Sequence, residues 1–368
     1  MLKKISVKNY KGFKDEIVLD FSDYKDYKFN TFAIKDGLIK SAMIYGKNGA
    51  GKSNFGLAIF DLTLHLTDNE KNPIQTTNYL NGDSDEEVAS FSYTFVIDGN
   101  EYLYEYKKQN AMQLTYEKLY LNGKKIFSYN FQKHQGDFPG LNLISAESLN
   151  IYSNMNISVL RYITFNANLT KDNPISKLMN FISHMLWFRS TTDGNAYIGL
   201  TKGANLLIDT IIENGTVKKF EEYLKSKGVN YQLEAMKNQI GMNILVAKYK
   251  YRNFDFLETA SHGTKILLLY FFWIQQLNNA SFVFIDEFDA FYHTFLAQDI
   301  FTELATQIEP QLLITTHNTD LLSNNILRPD CYFIVSQGKI TSLPNCTERE
   351  LREGHNLEKM FKAGEFNG

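Results

Sequence analysis

The residues richest in chemistry lie between 44 and 53, IYGKNGAGKS. Gly46-Lys47-Asn48-Gly49-Ala50-Gly51-Lys52-Ser53 has the form G-x-x-x-x-G-K-S, the phosphate-loop pattern. It stands where that pattern has to stand, after a short apolar strand, Ala42-Met43-Ile44-Tyr45, and before a helical stretch. Small residues are needed because successive backbone N–H groups turn inward on one anion, and side chains would block its approach. Gly46, Asn48, Gly49, Ala50, Gly51 and Asn54 are therefore candidates to bind the phosphates. Lys52 would reach the β- and γ-phosphates of a nucleotide, and the Ser53 hydroxyl would bind Mg²⁺. The helix that follows points its positive end at the same anion, with Phe55, Ala58, Ile59, Leu62 and Leu66 as its buried face.

Three further clusters carry chemistry. Phe282-Val283-Phe284-Ile285 is a continuous apolar run ending in Asp286-Glu287. Asp286 is placed to hold the Mg²⁺ shell and Glu287 to polarise an attacking water as general base. The bland alternative is that the pair caps the next helix. Thr259-Ala260-Ser261-His262-Gly263-Thr264-Lys265 stands directly before an apolar helix, 266–277. Ser261 and Gly263 at such a terminus make an anion site from backbone donors and the helix dipole, although S-x-G before a helix is a common pattern. Leu312-Leu313-Ile314 ends in Thr315-Thr316-His317, which sets an imidazole beside the carboxylate strand, in reach of a γ-phosphate.

The elements that must position these groups follow from periodicity. Short strands are expected around 5–7 and 17–21, joined by Asn9-Tyr10-Lys11-Gly12-Phe13. A polar connection runs from roughly 67 to 87. Phe91, Tyr93 and Phe95, then Tyr102, Tyr104 and Tyr106, alternate with polar residues around Asp98-Gly99-Asn100, and Asn122-Gly123 signals a second hairpin. From about 171 to 240 the pattern turns helical. Asn173-Pro174 begins a stripe of Ile175, Leu178, Met179, Ile182, Met185 and Leu186, and further helices are expected around 207–212 and 217–224. A helix at about 290–306 separates the two apolar strands of the last third. The expected architecture is an α/β phosphate-loop core, interrupted by an antiparallel β-meander and a helical insertion. The lobes divide as 1–168, 169–255 and 256–368.

The 368 residues suffice for one large domain with an insertion or for two. With 44% hydrophobic and 21% charged residues, the composition is that of a globular protein. A net charge of −3 argues against a surface wholly given to nucleic acid, though a local basic patch is compatible with it. Cys331 and Cys346 are the only cysteines, too few for a disulfide framework or a four-cysteine zinc site. The longest apolar run, 266–274, is far short of a bilayer span of ~20 residues, and the first residues, MLKKISVKNYKGF, lack the apolar core of a secretion signal. The expected setting is the cytoplasm, away from membranes.

The four motifs in this order resemble the ABC-type ATPase heads of the RecF, SMC and OLD group. Ile5-Ser6-Val7-Lys8-Asn9-Tyr10-Lys11-Gly12-Phe13 looks like the group's first strand and nucleotide-side loop, with Lys11 where a basic residue commonly lies. SHGTK before an aliphatic helix, IDEFDAFYH, TTHNTDLL and the tail from Gly354 to Phe361 look most like compact standalone bacterial ATPases of the RloA/AbiL kind, related to those of Septu and PARIS anti-phage systems. The resemblance implies ATP and Mg²⁺ held between two heads arranged head to tail. Lys52, Ser53, Asp286, Glu287 and His317 of one copy would face Ser261 and Gly263 of the other, and the homodimer can build a higher oligomer. It further implies control of a separate effector, a nuclease or toxin. The chain departs from the group in several places. No glutamine stands where the Q-loop is expected: Gln75 lies in the polar connection, and the region of Asn166 and Asn168 has none. His262 and Thr264 replace the Gly and Gln of transporter heads. No heptad run would make a long coiled coil, and no TOPRIM-like acidic cluster follows the core.

The readings that stay open are an ATP-hydrolysing regulator in anti-phage defence, a RecF-like repair ATPase that binds nucleic acid directly, and a nucleotide-gated scaffold. The general-base position of Glu287 argues against the scaffold. A transporter ATPase fits poorly, given the meander and the missing Q-loop glutamine.

Overall fold

Residues 1–68, 73–151, 155–189, 197–199, 207–290 and 294–366 are described by the structure, a computed structural model. The chain opens with β1 (Leu2–Lys8), β2 (Ile17–Asp20), β3 (Ile34–Lys35), β4 (Leu38–Ile39) and β5 (Ser41–Tyr45), followed by α1 (Lys52–Phe60), α2 (Thr63–Leu66) and α3 (Pro73–Thr76). Next come β6 (Ala89–Ile97), β7 (Asn100–Asn110), β8 (Gln113–Leu121), β9 (Lys124–Asn130) and β10 (Gln135–Asp137), then α4 (Val159–Asn166), α5 (Pro174–Ser183), β11 (Met185–Arg189), β12 (Tyr197–Gly199), α6 (Leu207–Glu213) and α7 (Val217–Ser226). The last third holds β13 (Leu233–Lys237), β14 (Asn243–Lys248), β15 (Asn253–Asp255), α8 (Phe256–Thr259), α9 (His262–Leu277), β16 (Phe282–Asp286), α10 (Thr294–Gln307), β17 (Gln311–Thr316), β18 (Tyr332–Ser336), β19 (Lys339–Ser342) and α11 (Leu357–Lys362).

Continuous apolar runs become the parallel strands of one sheet, ordered β12-β11-β16-β17-β5-β18-β19. β11, β16, β17, β5 and β18 are mutually parallel, with β12 and β19 as antiparallel edges. Every residue of β5, β16 and β17 is buried, as expected of strands covered on both faces. Because the strands run the same way, their C-terminal ends share one edge of the sheet. That edge carries Arg189, Asp286, Thr316 and the start of the phosphate loop.

The alternating stretches form the second sheet, wholly antiparallel, in the order β10-β9-β8-β7-β6-β1-β2. Asp98-Gly99 and Asn122-Gly123 both have positive φ at both central positions, the two-residue turn that matches strand twist. Helix α1 lies between the sheets. A Cβ at Gly56 would come within 2.4 Å of the Phe284 ring of β16, so glycine is what allows the helix to seat on the parallel sheet. On its other side the Tyr93 hydroxyl of β6 donates to Ala58 O at 2.6 Å.

Two expectations change. Phe55, Ala58, Ile59, Leu62 and Leu66 are all buried as expected, but α1 ends at Phe60, where the Asp61 carboxylate bonds Tyr79, Tyr106 and Lys108, and Leu66 stands on the separate turn α2. Met185 and Leu186 are not the end of a helix. Helix α5 stops at Ser183, and Met185-Leu186-Trp187-Phe188 forms β11 beside β16, because a buried parallel strand needs such an apolar run. The stretch 169–255 is accordingly mixed, with α5, α6 and α7 accompanied by β11 and by the three-stranded sheet β13-β14-β15. Phe291-Tyr292-His293 of the expected 290–306 helix lie outside the described residues.

Candidate nucleotide site

Gly49 and Gly51 have φ of +81° and +102°, a region open to glycine at no cost, and these two turns wrap the loop around the start of α1. A Cβ on Gly51 would lie 2.9 Å from the Phe13 ring, so the loop after β1 packs directly on the cradle. Gly51 occupies the N-cap of α1 with no side chain capping the helix, which leaves the first-turn N–H groups for an anion. Lys52 Nζ is held on the loop's own carbonyls, Gly46 O at 2.7 Å and Lys47 O at 3.2 Å. Burial lowers its pKa, with Asp286, Glu287 and Asp289 opposing that shift.

A cleft of about 410 Å³ is lined by Asn48, Gly49, Ala50, Gly51, Lys52, Ser53 and Asn54, and from the far side by Glu287, Thr316 and His317. Three separate elements, α1 and the ends of β16 and β17, thus meet there. Asp286 lies beneath, fully buried, and Ser53 Oγ donates to its Oδ1 at 3.1 Å. Thr315 Oγ1 donates to the same oxygen at 2.8 Å and accepts Glu287 N–H at 2.8 Å. One threonine therefore fixes both acidic residues. Glu287 has φ +53°, a left-handed backbone that costs a residue with a Cβ ~1–2 kcal/mol, and this turn brings its carboxylate to the cleft wall. His317, exposed, follows β17 at the same edge.

The structure does not bring every candidate to the cleft. Gly46 packs under the loop, where a Cβ would sit 3.1 Å from Val335 O. Lys11 Nζ donates to Ile74 O at 3.0 Å and Thr77 O at 2.7 Å, and burial lowers its pKa. It serves the end of α3 and does not line the cleft. Ser261 caps α9, its Oγ accepting Thr264 N–H at 3.2 Å, and neither Ser261 nor Gly263 lines the cleft. Gln75 is buried and donates to Phe60 O at 3.4 Å.

Sequence reasoning missed Arg189. Its Nε and Nη2 donate to Asp286 Oδ2 at 3.0 and 2.7 Å, across adjacent strands where the two residues are register partners. A signal was present: Phe188-Arg189 repeats the pattern of Ile285-Asp286, an apolar run closed by one charge. Thr315 was likewise passed over as part of a strand.

Glycine turns and an uncapped helix end suit a polyphosphate, and the paired oxygens of Ser53 and Asp286 are hard donors of the kind Mg²⁺ takes. Residues 245–323 match the family model described as "AAA domain, putative AbiEii toxin, Type IV TA system". The match covers Ser261, Asp286, Glu287 and His317 but not the phosphate loop. No curated protein matches the chain. Among solved structures the chain is similar to the SMC head domain from Thermotoga maritima, at 16% identity over 93% of this chain and 98% of that one, with a TM-score of 0.45. It is also similar to the ATP complex of RecF, the recombination mediator of the RecFOR pathway, at 13% identity over 93% and 99%, with a TM-score of 0.41. No helix among the described residues is long and apolar enough to cross a membrane. The phosphate loop in its strand–loop–helix setting and the carboxylate strand, which β17 separates from β5, form a phosphate-loop α/β core, and residues 245–323 of it match an AAA-domain model.

Proposed function

We propose that the chain hydrolyses ATP as a head-to-tail homodimer and that dimer closure controls a separate effector protein, a nuclease or toxin, in anti-phage defence. The observation that carries the dimer is the split site: the loop, Glu287 and His317 line the cleft, while Ser261 and Gly263 at the α9 terminus do not. A second copy would bring that terminus to the γ-phosphate. The matched family's description, which includes a toxin of a type IV toxin–antitoxin system, supports the defence setting.

In this reading the first-turn N–H groups of α1 and Lys52 bind the β- and γ-phosphates, Lys52 exchanging its two carbonyls for phosphate oxygens. Ser53 and Asp286 would hold Mg²⁺, which when bound neutralises charge on the phosphate oxygens. Glu287 takes a proton from the water whose oxygen bonds to the γ-phosphorus, as the bond to the bridging oxygen breaks and ADP leaves. His317 donates a hydrogen bond to the γ-phosphate.

The test is the solution mass of Glu287→Gln and Lys52→Ala by light scattering, with and without Mg²⁺ and ATP. Glu287→Gln should bind ATP and double in mass, and Lys52→Ala should do neither. The same behaviour from both variants would sink the mechanism.

A second reading, direct binding of nucleic acid, is favoured by one surface. Residues 243–255 contain Lys248, Lys250 and Arg252 and one acidic residue, Asp255, in a chain of net charge −3, and Lys248 pairs with Glu234 of β13. On this β14–β15 hairpin Tyr249, Tyr251 and Phe254 are exposed, and Lys250 Nζ lies 5.0 Å from the Tyr251 ring centroid. Exposed aromatics interleaved with cations suit stacked bases and phosphates. A mass doubling of Glu287→Gln that needs DNA in addition to ATP, and is lost in Tyr251→Ala, would put this reading ahead.

A further inference from the structure

We propose that Arg189 is a latch on the metal-binding carboxylate: it pairs with Asp286 and must let go before Asp286 can serve a divalent cation. The inference rests on the nucleotide reading above and adds a residue and a switching role to it.

Four hydrogen bonds saturate the Asp286 carboxylate. Ser53 and Thr315 hydroxyls take Oδ1, and the Arg189 guanidinium takes Oδ2 through two N–H groups. A wholly buried carboxylate without a cation would be costly, and Arg189 supplies that cation. A guanidinium and a dication on one buried carboxylate repel each other, and the dication weakens the hold of Asp286 on Arg189. The two acceptor oxygens differ in what holds them. Oδ1 is bound by neutral hydroxyls from α1 and β17, one of them the Ser53 hydroxyl that would itself turn to the cation. Oδ2 is bound by charge, and its partner is the one that a dication on the same carboxylate repels.

The geometry lets it leave. Arg189 is the last residue of β11, its side chain is 19% exposed, and its guanidinium carbon lies 5.6 Å from the Trp187 ring centroid. Trp187 and Arg189 are two apart on one strand and share a face. The guanidinium therefore spans Asp286 and the indole, and departure from the carboxylate changes what the indole faces. Lys52 is parked in the same manner on Gly46 and Lys47 carbonyls. Lys52 and Arg189 are thus both bound to protein groups, from which phosphate would free the first and metal the second. The division makes a specific demand: phosphate alone releases Lys52, and only the metal releases Arg189.

The experiment uses the full chain and its two tryptophans, Trp187 and Trp273, with Trp187→Phe marking which part of the emission belongs to Trp187. ATP is added first in EDTA and then with increasing Mg²⁺, and bound ATP is measured in parallel with a fluorescent analogue. Trp187 emission should stay unchanged with ATP in EDTA and shift as Mg²⁺ is added. In Arg189→Ala the shift should vanish and the Mg²⁺ concentration for half-saturation should fall about tenfold, since no cation has to be displaced. Arg189→Lys, which keeps the charge without the two-pronged geometry, should fall between. A circular dichroism spectrum and ATP affinity in EDTA like those of the unmodified protein establish that the variants fold. An unchanged or higher Mg²⁺ requirement in Arg189→Ala, or a full shift with ATP in EDTA, overturns the latch. Failure of the unmodified protein to bind ATP under any condition overturns instead the nucleotide reading on which it rests.

Discussion

Asp286 and Asp61 are both wholly buried, lie by opposite ends of α1, and each accept from two hydroxyls and one cation. Their surroundings differ in one respect. Around Asp61 the partners are sealed: Lys108 is fully buried 2.7 Å away, and Tyr79 and Tyr106 pack in the aromatic layer of the antiparallel sheet. Around Asp286 the cation is partly exposed and Ser53 lines an open cleft. Burial of the carboxylate does not mark the working site. What marks it is that the partners are able to exchange.

The largest effects should separate the two along function and stability. Asp286→Asn is expected to lower ATP hydrolysis by ~10³-fold or more while changing unfolding free energy by only ~1 kcal/mol, because Arg189 can turn toward water. Steady-state phosphate release and urea unfolding on the same protein check both halves. Comparable losses of stability from this variant and from a change at Asp61 would erase the distinction.

Lys108→Met should do the reverse. It leaves the Asp61 charge buried with only hydroxyl donors, a loss of about 3–5 kcal/mol in urea unfolding. ATP binding by the folded fraction at low temperature should be unaltered, since neither residue lines the cleft. A variant that stays stable but loses ATP binding would show that this cluster is wired to the phosphate loop through α1.

Both carboxylates were available to sequence reading, and only one was found. Asp286 ends an apolar run of a recognisable kind, and the loop 46–53 announces its own geometry through glycines. The Asp98-Gly99 and Asn122-Gly123 turns were legible for the same reason: local backbone chemistry fixes them. Asp61 and Lys108 lie 47 residues apart on a helix end and a strand, with no pattern linking them. Arg189 was hidden because the run before it fits a helical stripe as well as a strand, and only pairing with β16 decides between them. Lys11 fits a nucleotide-side position by order along the chain, yet the carbonyls at the end of α3 claim it. Local signals thus revealed the elements and the loop, while contacts made across the fold determined which charges meet.

A smaller effect tests how sealed the aromatic layer is. His65 Nε2 bonds the Tyr104 hydroxyl at 2.8 Å, and the same hydroxyl donates to buried Glu117 at 2.9 Å. Burial, with Lys108 and Arg161 adding to it, holds the His65 pKa well below 6.5. The unfolded chain then binds a proton that the folded one refuses, so this contribution to stability is present above pH 6.5 and is lost as pH falls. The slope should approach ~1.4 kcal/mol per pH unit below that point. Glu117, whose pKa burial raises above 4.5, acts in the opposite sense as pH rises from that value. The difference between the unmodified protein and His65→Gln isolates the histidine. An identical pH dependence of urea unfolding in the two proteins would mean the ring is accessible to protons in the fold.

The smallest effect should arise at Glu287, where the cleft carries backbone strain: φ is +53° at a residue whose carboxylate takes no hydrogen bond among the described residues. Such a conformation costs ~1–2 kcal/mol for most residues and much less for asparagine. Glu287→Asn should therefore raise unfolding free energy by ~0.5–1 kcal/mol while removing hydrolysis, because an amide cannot take the proton from water. Glu287→Ala separates the two causes, since it removes the carboxylate and keeps the strain, and should gain less stability than asparagine. Equal gains from both would locate the penalty in the carboxylate, through its repulsion with Asp286 and Asp289, and the left-handed turn would then carry little cost. A loss from both would mean that Glu287 supports the fold as its counterpart Asp61 does, and the cleft would be less open than its partly exposed partners suggest.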